Sequence, residues 1–160
     1  MQAQSKYLAI YLQDHLAGST GGLELARRAR GSHEGTPAGE ELARIATEIE
    51  EDRDRLVEIM NFCEVGEDRF KNLGGWAGEK IGRLKLNGEV TSRSPLSSVV
   101  ELEGLYIGIT GKLSLWRNLE RSAGEHLVSF DLPNLIARAE DQRARVEALR
   151  LEAAAAALTI

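Results

Sequence analysis

Apolar and small side chains recur along this chain at spacings of three and four residues, the mark of helices that bury one stripe. The first stripe reads Leu8, Leu12, His15/Leu16, Ser19, Leu23 and Ala26, and predicts a helix from about Ser5 to Arg30. Gly31, Ser32 and Gly35 end it. Thr36-Pro37 starts a second helix: Thr is a good N-cap, Pro suits the first helical position, and Glu40 and Glu41 suit the positive end of the dipole. Its stripe is Leu42, Ile45, Ala46, Ile49, Leu56, Ile59/Met60 and Cys63, with Gly66 expected to close it.

Residues 67 to 95 read as a long connection with a shorter amphipathic helix inside it. That segment carries Phe70, Leu73, Trp76/Ala77, Ile81 and Leu84, and Asn87-Gly88 stops it. A third long helix is expected from about Leu96 to Arg121, then a turn around Gly124 and Phe130. Asp131-Leu132-Pro133 resembles Thr36-Pro37 as a helix start, and the fourth helix runs to an alanine tract, Ala153 to Ala157. A short loop between two long helices makes them antiparallel neighbours. The pattern implies one all-α domain over 1–160.

The chain also aligns with itself at an offset of about 90 residues. LQDHLAGSTGGLELAR from Leu12 meets LEGLYIGITGKLSLWR from Leu102, and IEEDRDRL from Ile49 meets AEDQRARV from Ala139. Glu50, Arg53 and Arg55 fall on Glu140, Arg143 and Arg145. One offset serves both helix pairs. The expected architecture is therefore an antiparallel four-helix bundle of two similar helical hairpins, joined by a long crossover that carries the short extra helix. Gly18 with Gly22, and Gly108 with Gly111, read as small residues that let two helices approach closely; a hinge is the alternative.

Composition supports long helices. Aromatic residues make up 5% of 160 residues and Pro occurs three times, while 42% are hydrophobic and 28% charged. The formal charge of -5 argues against nucleic acid as a partner, because binding it rests on neutralising phosphates. The single cysteine, Cys63, excludes an intrachain disulfide and reads as a buried, inert thiol in an apolar pattern. No stretch approaches the roughly 20 apolar residues of a membrane span, and the start lacks a secretory pattern, so a cytoplasmic protein is expected. Partners are otherwise unknown; a homodimer is one state the sequence allows. The crossover helix, with Lys71, Trp76, Lys80 and Arg83, would cap its own bundle or rest on a membrane or partner. His33 and His126 fall in predicted turns and are expected to be solvated.

The repeat, the crossover and the charged residues midway along the second and fourth helices resemble the ferritin-like superfamily. More narrowly, the chain resembles an uncharacterised bacterial branch with that fold and a degenerate di-metal motif. In metal-binding members, the second and fourth helices each carry Glu-x-x-His and the first and third each add a Glu; together they hold two iron or manganese ions. Here the matching segments read Glu50-Glu51-Asp52-Arg53 and Glu140-Asp141-Gln142-Arg143. Arg stands where His would be, and a protonated guanidinium has no lone pair for a metal. His15 and Leu105 stand at the depth of the other two Glu.

The candidate interior cluster is therefore His15, Glu50, Asp52, Arg53, Glu140 and Arg143, with Arg53 placed in the apolar stripe and Glu50 and Asp52 on its flanks. Four readings compete: a salt-bridge network, an anion or small-ligand site at the paired arginines, a metal site from His15, Glu50, Asp52 and Glu140, and surface charge. The resulting expectation is a binding or interaction module with no metal or other cofactor. A ferritin-like metal-dependent oxidoreductase or metal-handling protein with altered ligands, iron or manganese, is the alternative.

Overall fold

A computed structural model of the chain describes residues 2–66 and 94–159. Four long helices hold nearly all of these residues: α1 (Gln2–Ser32), α2 (Pro37–Phe62), α3 (Pro95–Ala123) and α4 (Leu132–Ala157). A 3-10 turn at Val128–Phe130 precedes α4, and among the described residues there is no strand. The all-α expectation is met. The amphipathic segment around Phe70, Trp76 and Leu84 lies outside the described residues.

Local chemistry explains the helix starts. All three prolines stand in first turns, where the missing N–H leaves nothing unsatisfied. Each is flanked by a side-chain cap: Thr36 Oγ1 accepts the Gly39 N–H (3.1 Å), Ser94 Oγ the Leu96 N–H (3.2 Å), and Asp131 Oδ1 the Asn134 N–H (3.4 Å).

The end of α2 differs from the expected stop at Gly66. The chain turns at Glu64, which takes the left-handed conformation (φ 55°). Val65 N–H donates to Met60 O (2.9 Å) and Glu64 N–H to Asn61 O (3.1 Å). This is a Schellman closure, completed by Val65 and Met60 packing in one cluster. Gly66 serves another purpose: its carbonyl accepts from Gln13 Nε2 at 2.9 Å and ties this end of α2 to α1.

Two apolar clusters form the core. One joins Leu12, Leu16, Leu56, Ile59, Trp116 and Leu135. The other joins Leu23, Ala26, Leu42, Ile45, Leu105 and Val146. Backbones pack most closely within each sequential helix pair, then between α1 and α3. Gly104 marks the last approach: a Cβ there would stand 3.0 Å from Leu25 Cδ2. The backbones of α2 and α4 hardly meet, and long polar side chains bridge them instead.

Candidate functional site

A polar layer separates the two apolar clusters. At its centre Asp52 and Gln142 are almost completely buried, at 1% and 0% exposure. Each stands where an apolar residue would continue a stripe: Ile45, Ile49, Asp52, Leu56 on α2, and Leu135, Ala139, Gln142, Val146 on α4. Lys112 of α3 reaches the same point from between Ile109 and Trp116. Its ammonium donates to Asp52 Oδ2 and to Gln142 Oε1. Arg138 donates to Asp52 Oδ1 and, at 2.8 Å, to Glu51. Gln142 Nε2 donates to Glu48 (3.0 Å) and to Asp52 Oδ2 (3.2 Å). Arg145 extends the layer, donating to Glu41 at 2.7 Å and to Glu48, with Asp141 also at 2.7 Å.

A buried charge is tolerated when it is paired and its hydrogen-bonding capacity is used. Asp52 meets both conditions, with a cation on each carboxylate oxygen. Burial pulls the Lys112 ammonium below the usual lysine range, while Asp52 opposes that fall. Arg44 and Arg145 hold the Glu41 carboxyl below its ordinary value by hydrogen bonds.

Beside this layer lies a cavity of about 680 Å³ between α1, α2 and α3. Asp52 and Lys112 belong to its lining, with His15, Arg53 and Trp116 around them. Gly18, Gly22, Gly108 and Gly111 also line it. A Cβ on any of the four would meet nothing within 4 Å. These glycines therefore do not serve close helix contact, as their spacing suggested. They leave volume open.

The six residues grouped from the sequence separate. Asp52 lies inside the layer. His15 and Arg53 stand on the cavity wall, half-buried. Among the described residues Arg53 has two contacts, both long, to Thr20 (3.4 Å) and Asp54 (3.6 Å). His15 packs edge-on against Tyr11, ring centroids 4.6 Å apart, and burial lowers its pKa against the pull of Asp14. Glu50 and Glu140 are not interior: they are exposed, and they pair with Arg27 and Arg117 of the preceding helices. Arg143 is half-buried and takes no part in the layer.

The error is one of register. Position 52 lies in the α2 stripe and position 53 beside it, so the inward cations are Lys112 and Arg138, not the paired arginines. Lys112, Arg138, Glu48, Gln142 and Arg145 were missed. The signal that would have found Lys112 and Gln142 is a polar residue at the three-four spacing of an apolar stripe.

Outside the layer, Cys63 caps α2, half-buried, with burial raising its thiol pKa. His126 is exposed, as expected, but His33 is half-buried and its Nδ1 lies 2.8 Å from Ala29 O.

A di-metal centre does not fit these residues. The carboxylate at the middle of the layer has both oxygens committed to Lys112 and Arg138, which repel a cation. Among the described residues, no three His, Cys, Asp or Glu side chains converge as a ligand set, and no helix is long and apolar enough to cross a membrane. No protein-family model, no curated protein and no solved structure matches this chain.

Proposed function

We propose that this chain is an antiparallel four-helix bundle of ferritin-like topology that works as a binding module without a di-metal centre. The observation that carries the functional reading is Lys112, whose ammonium sits on Asp52 and Gln142 where a ferritin-like protein would hold metal. The layer then fixes helix register, as buried polar groups do in other bundles, and the adjoining cavity supplies the binding surface.

The topology is supported by the order of contacts. Partners on α4 rise from Arg138 through Gln142 to Arg145, while those on α2 fall from Asp52 through Glu48 to Glu41. Between α1 and α2, Arg27 meets Glu50 and Gln13 meets Gly66. Between α1 and α3, Tyr11 meets Asn118 (2.8 Å) and Leu25 lies against Gly104. Each neighbouring pair thus runs in opposite directions. The chain leaves α2 beside Gln13 and enters α3 toward the Leu25 end, as a lengthwise crossover requires. Hairpins related by the 90-residue offset gain support from Arg27–Glu50 and Arg117–Glu140, two ion pairs at equivalent positions.

The test is elemental mass spectrometry on protein grown with added iron and manganese, then purified without chelators or a metal-affinity tag. A folded, metal-free chain is expected. About two ions per chain, the complement of a di-metal bundle, would overturn the reading in favour of a metal-dependent oxidoreductase or metal-handling protein.

A further inference from the structure

We infer that the cavity between α1, α2 and α3 binds a small organic acid, an apolar body with one carboxylate head. This deepens the binding-module reading and rests on it.

Volume is the first argument. Small-molecule sites are clefts or cavities of roughly 300–1,000 Å³. The cavity, at about 680 Å³, falls within that range.

The glycines are the second. Gly18, Gly22, Gly108 and Gly111 stand inside long helices, where glycine is a much poorer helix former than Ala. None has a neighbour that a Cβ would strike, and none has the positive φ that favours glycine. Gly18 and Gly108 are exposed and Gly22 and Gly111 half-buried, and a side chain at any of them would narrow the cavity.

The polar groups on the wall choose the head group. Trp116, 1% exposed, contributes its ring to the wall beside them. Arg53 keeps a guanidinium on the wall, with two long contacts among the described residues. Lys112 has three N–H donors, of which Asp52 and Gln142 take two. Of the acceptors on the wall, both Asp52 oxygens already hold a cation. Asp14, the other carboxylate in the lining, is exposed. Spare donors beside apolar walls such as Leu56, Leu105 and Ile109 suit a carboxylate with a hydrocarbon body.

The experiment is isothermal titration calorimetry of the full chain with octanoate, octanol and octylamine, which share a body and differ in the head. The Trp116 indole N–H signal is followed by NMR in parallel, assigned with Trp116→Phe. Octanoate is expected to bind at least about tenfold more tightly than octanol, to bind more tightly than octylamine, and to move that signal. Arg53→Gln should weaken octanoate severalfold and leave octanol unchanged. Gly22→Leu, which places a side chain in the open volume, should abolish binding without lowering the melting temperature. The inference is overturned if none of the three compounds binds at millimolar concentration. It is equally overturned if octanol or octylamine matches octanoate, or if Gly22→Leu binds as wild type does. A metal-free protein that ignores octanoate removes this inference and leaves the polar-layer reading standing; a metal-loaded one removes the polar-layer reading.

Discussion

Gln142 donates from Nε2 to Asp52 Oδ2 at 3.2 Å, although the two stand 90 positions apart. In the proposed arrangement of two hairpins related by that offset, they would be counterparts that meet where the two-fold axis passes. Their environment is not symmetric, because the counterpart of Lys112 is Gly22. A cation occupies one side of the layer, and the other side contributes a glycine to the cavity.

Breaking this layer and replacing it should have opposite consequences. Asp52→Ala leaves the mostly buried Lys112 without its counter-ion and Arg138 with Glu51 alone. Removing one partner of a buried pair costs about 3–5 kcal/mol. Replacing Asp52, Lys112 and Gln142 together by Leu, Met and Leu removes the buried pair with the desolvation it imposes, and leaves Arg138, 26% exposed, to Glu51 and solvent. That triple variant should stay within about 1 kcal/mol of wild type or exceed it. Urea unfolding of the two variants distinguishes a buried network from a solvated one, in which Asp52→Ala would be nearly silent.

Glycine substitutions should divide by position. Gly22→Ala and Gly111→Ala add a Cβ to open space inside a helix and should each raise stability by about 0.5–1 kcal/mol. Gly39→Ala uses the same chemistry with the opposite sign. Its Cβ would lie 2.1 Å from the His33 carbonyl oxygen, in the turn between α1 and α2. Backbone must move there, at about 1–3 kcal/mol. Thermal melts of the three variants check the division.

The closure of α2 supplies another sign. Glu64 holds a left-handed conformation that strains an L-residue by roughly 1–2 kcal/mol and glycine hardly at all. Part of that gain is lost to the greater freedom of glycine in the unfolded chain. Glu64→Gly should therefore stabilise the protein by about 0.5–1 kcal/mol, read as a higher urea midpoint at an unchanged m-value.

These elements were unequally legible in the sequence. The starts of α2 and α4 could be read from Thr36-Pro37 and Asp131-Leu132-Pro133, because capping is local chemistry. The stop at Glu64 could not, since nothing in the residue type announces φ 55°, and Gly66 nearby was the better local signal. The site was half legible. Asp52 belongs to a stripe, but in Glu50-Glu51-Asp52-Arg53 every residue is charged, and a slip of one position turns a different side chain inward. Lys112 and Arg138 were hidden for another reason. Their role depends on helices that meet only in the folded chain, and an isolated Lys or Arg on a helix usually faces water.

Acid should weaken the protein in two separable steps. Burial favours the neutral imidazole of His15 in the folded chain, with Asp14 opposing it, so its folded pKa lies below the ordinary 6.5. Between those two values the unfolded chain binds more protons, and stability falls as pH falls through that window. His15→Gln should flatten the slope just below pH 6.5 and leave the acid limb. That limb belongs to carboxylates such as Glu41, whose folded pKa lies below its ordinary 4.5. Its contribution is complete above the unfolded value and is lost as pH falls through the folded one. Unfolding free energies across the pH range, in wild type and His15→Gln, should show the separation; parallel curves would contradict the burial of His15.

Arg27–Glu50 and Arg117–Glu140 offer the most direct test of the aligned halves. Each pair links consecutive helices across the same 23 residues, and the side chains are about half exposed, 46% and 51% in the first pair, 54% and 45% in the second. Such pairs contribute about 0.2–1 kcal/mol and are screened by salt. One difference separates them: Arg27 also reaches Glu24 at 3.4 Å, and such a shared contact weakens the hold on Glu50. Double-mutant cycles to Ala should give couplings below about 1 kcal/mol for both pairs, with Arg117–Glu140 equal or slightly larger, and both should shrink at high salt. A large coupling in one half and none in the other would mean that the two hairpins do not place these residues equivalently. The alignment by 90 residues would then describe the sequence without describing the fold.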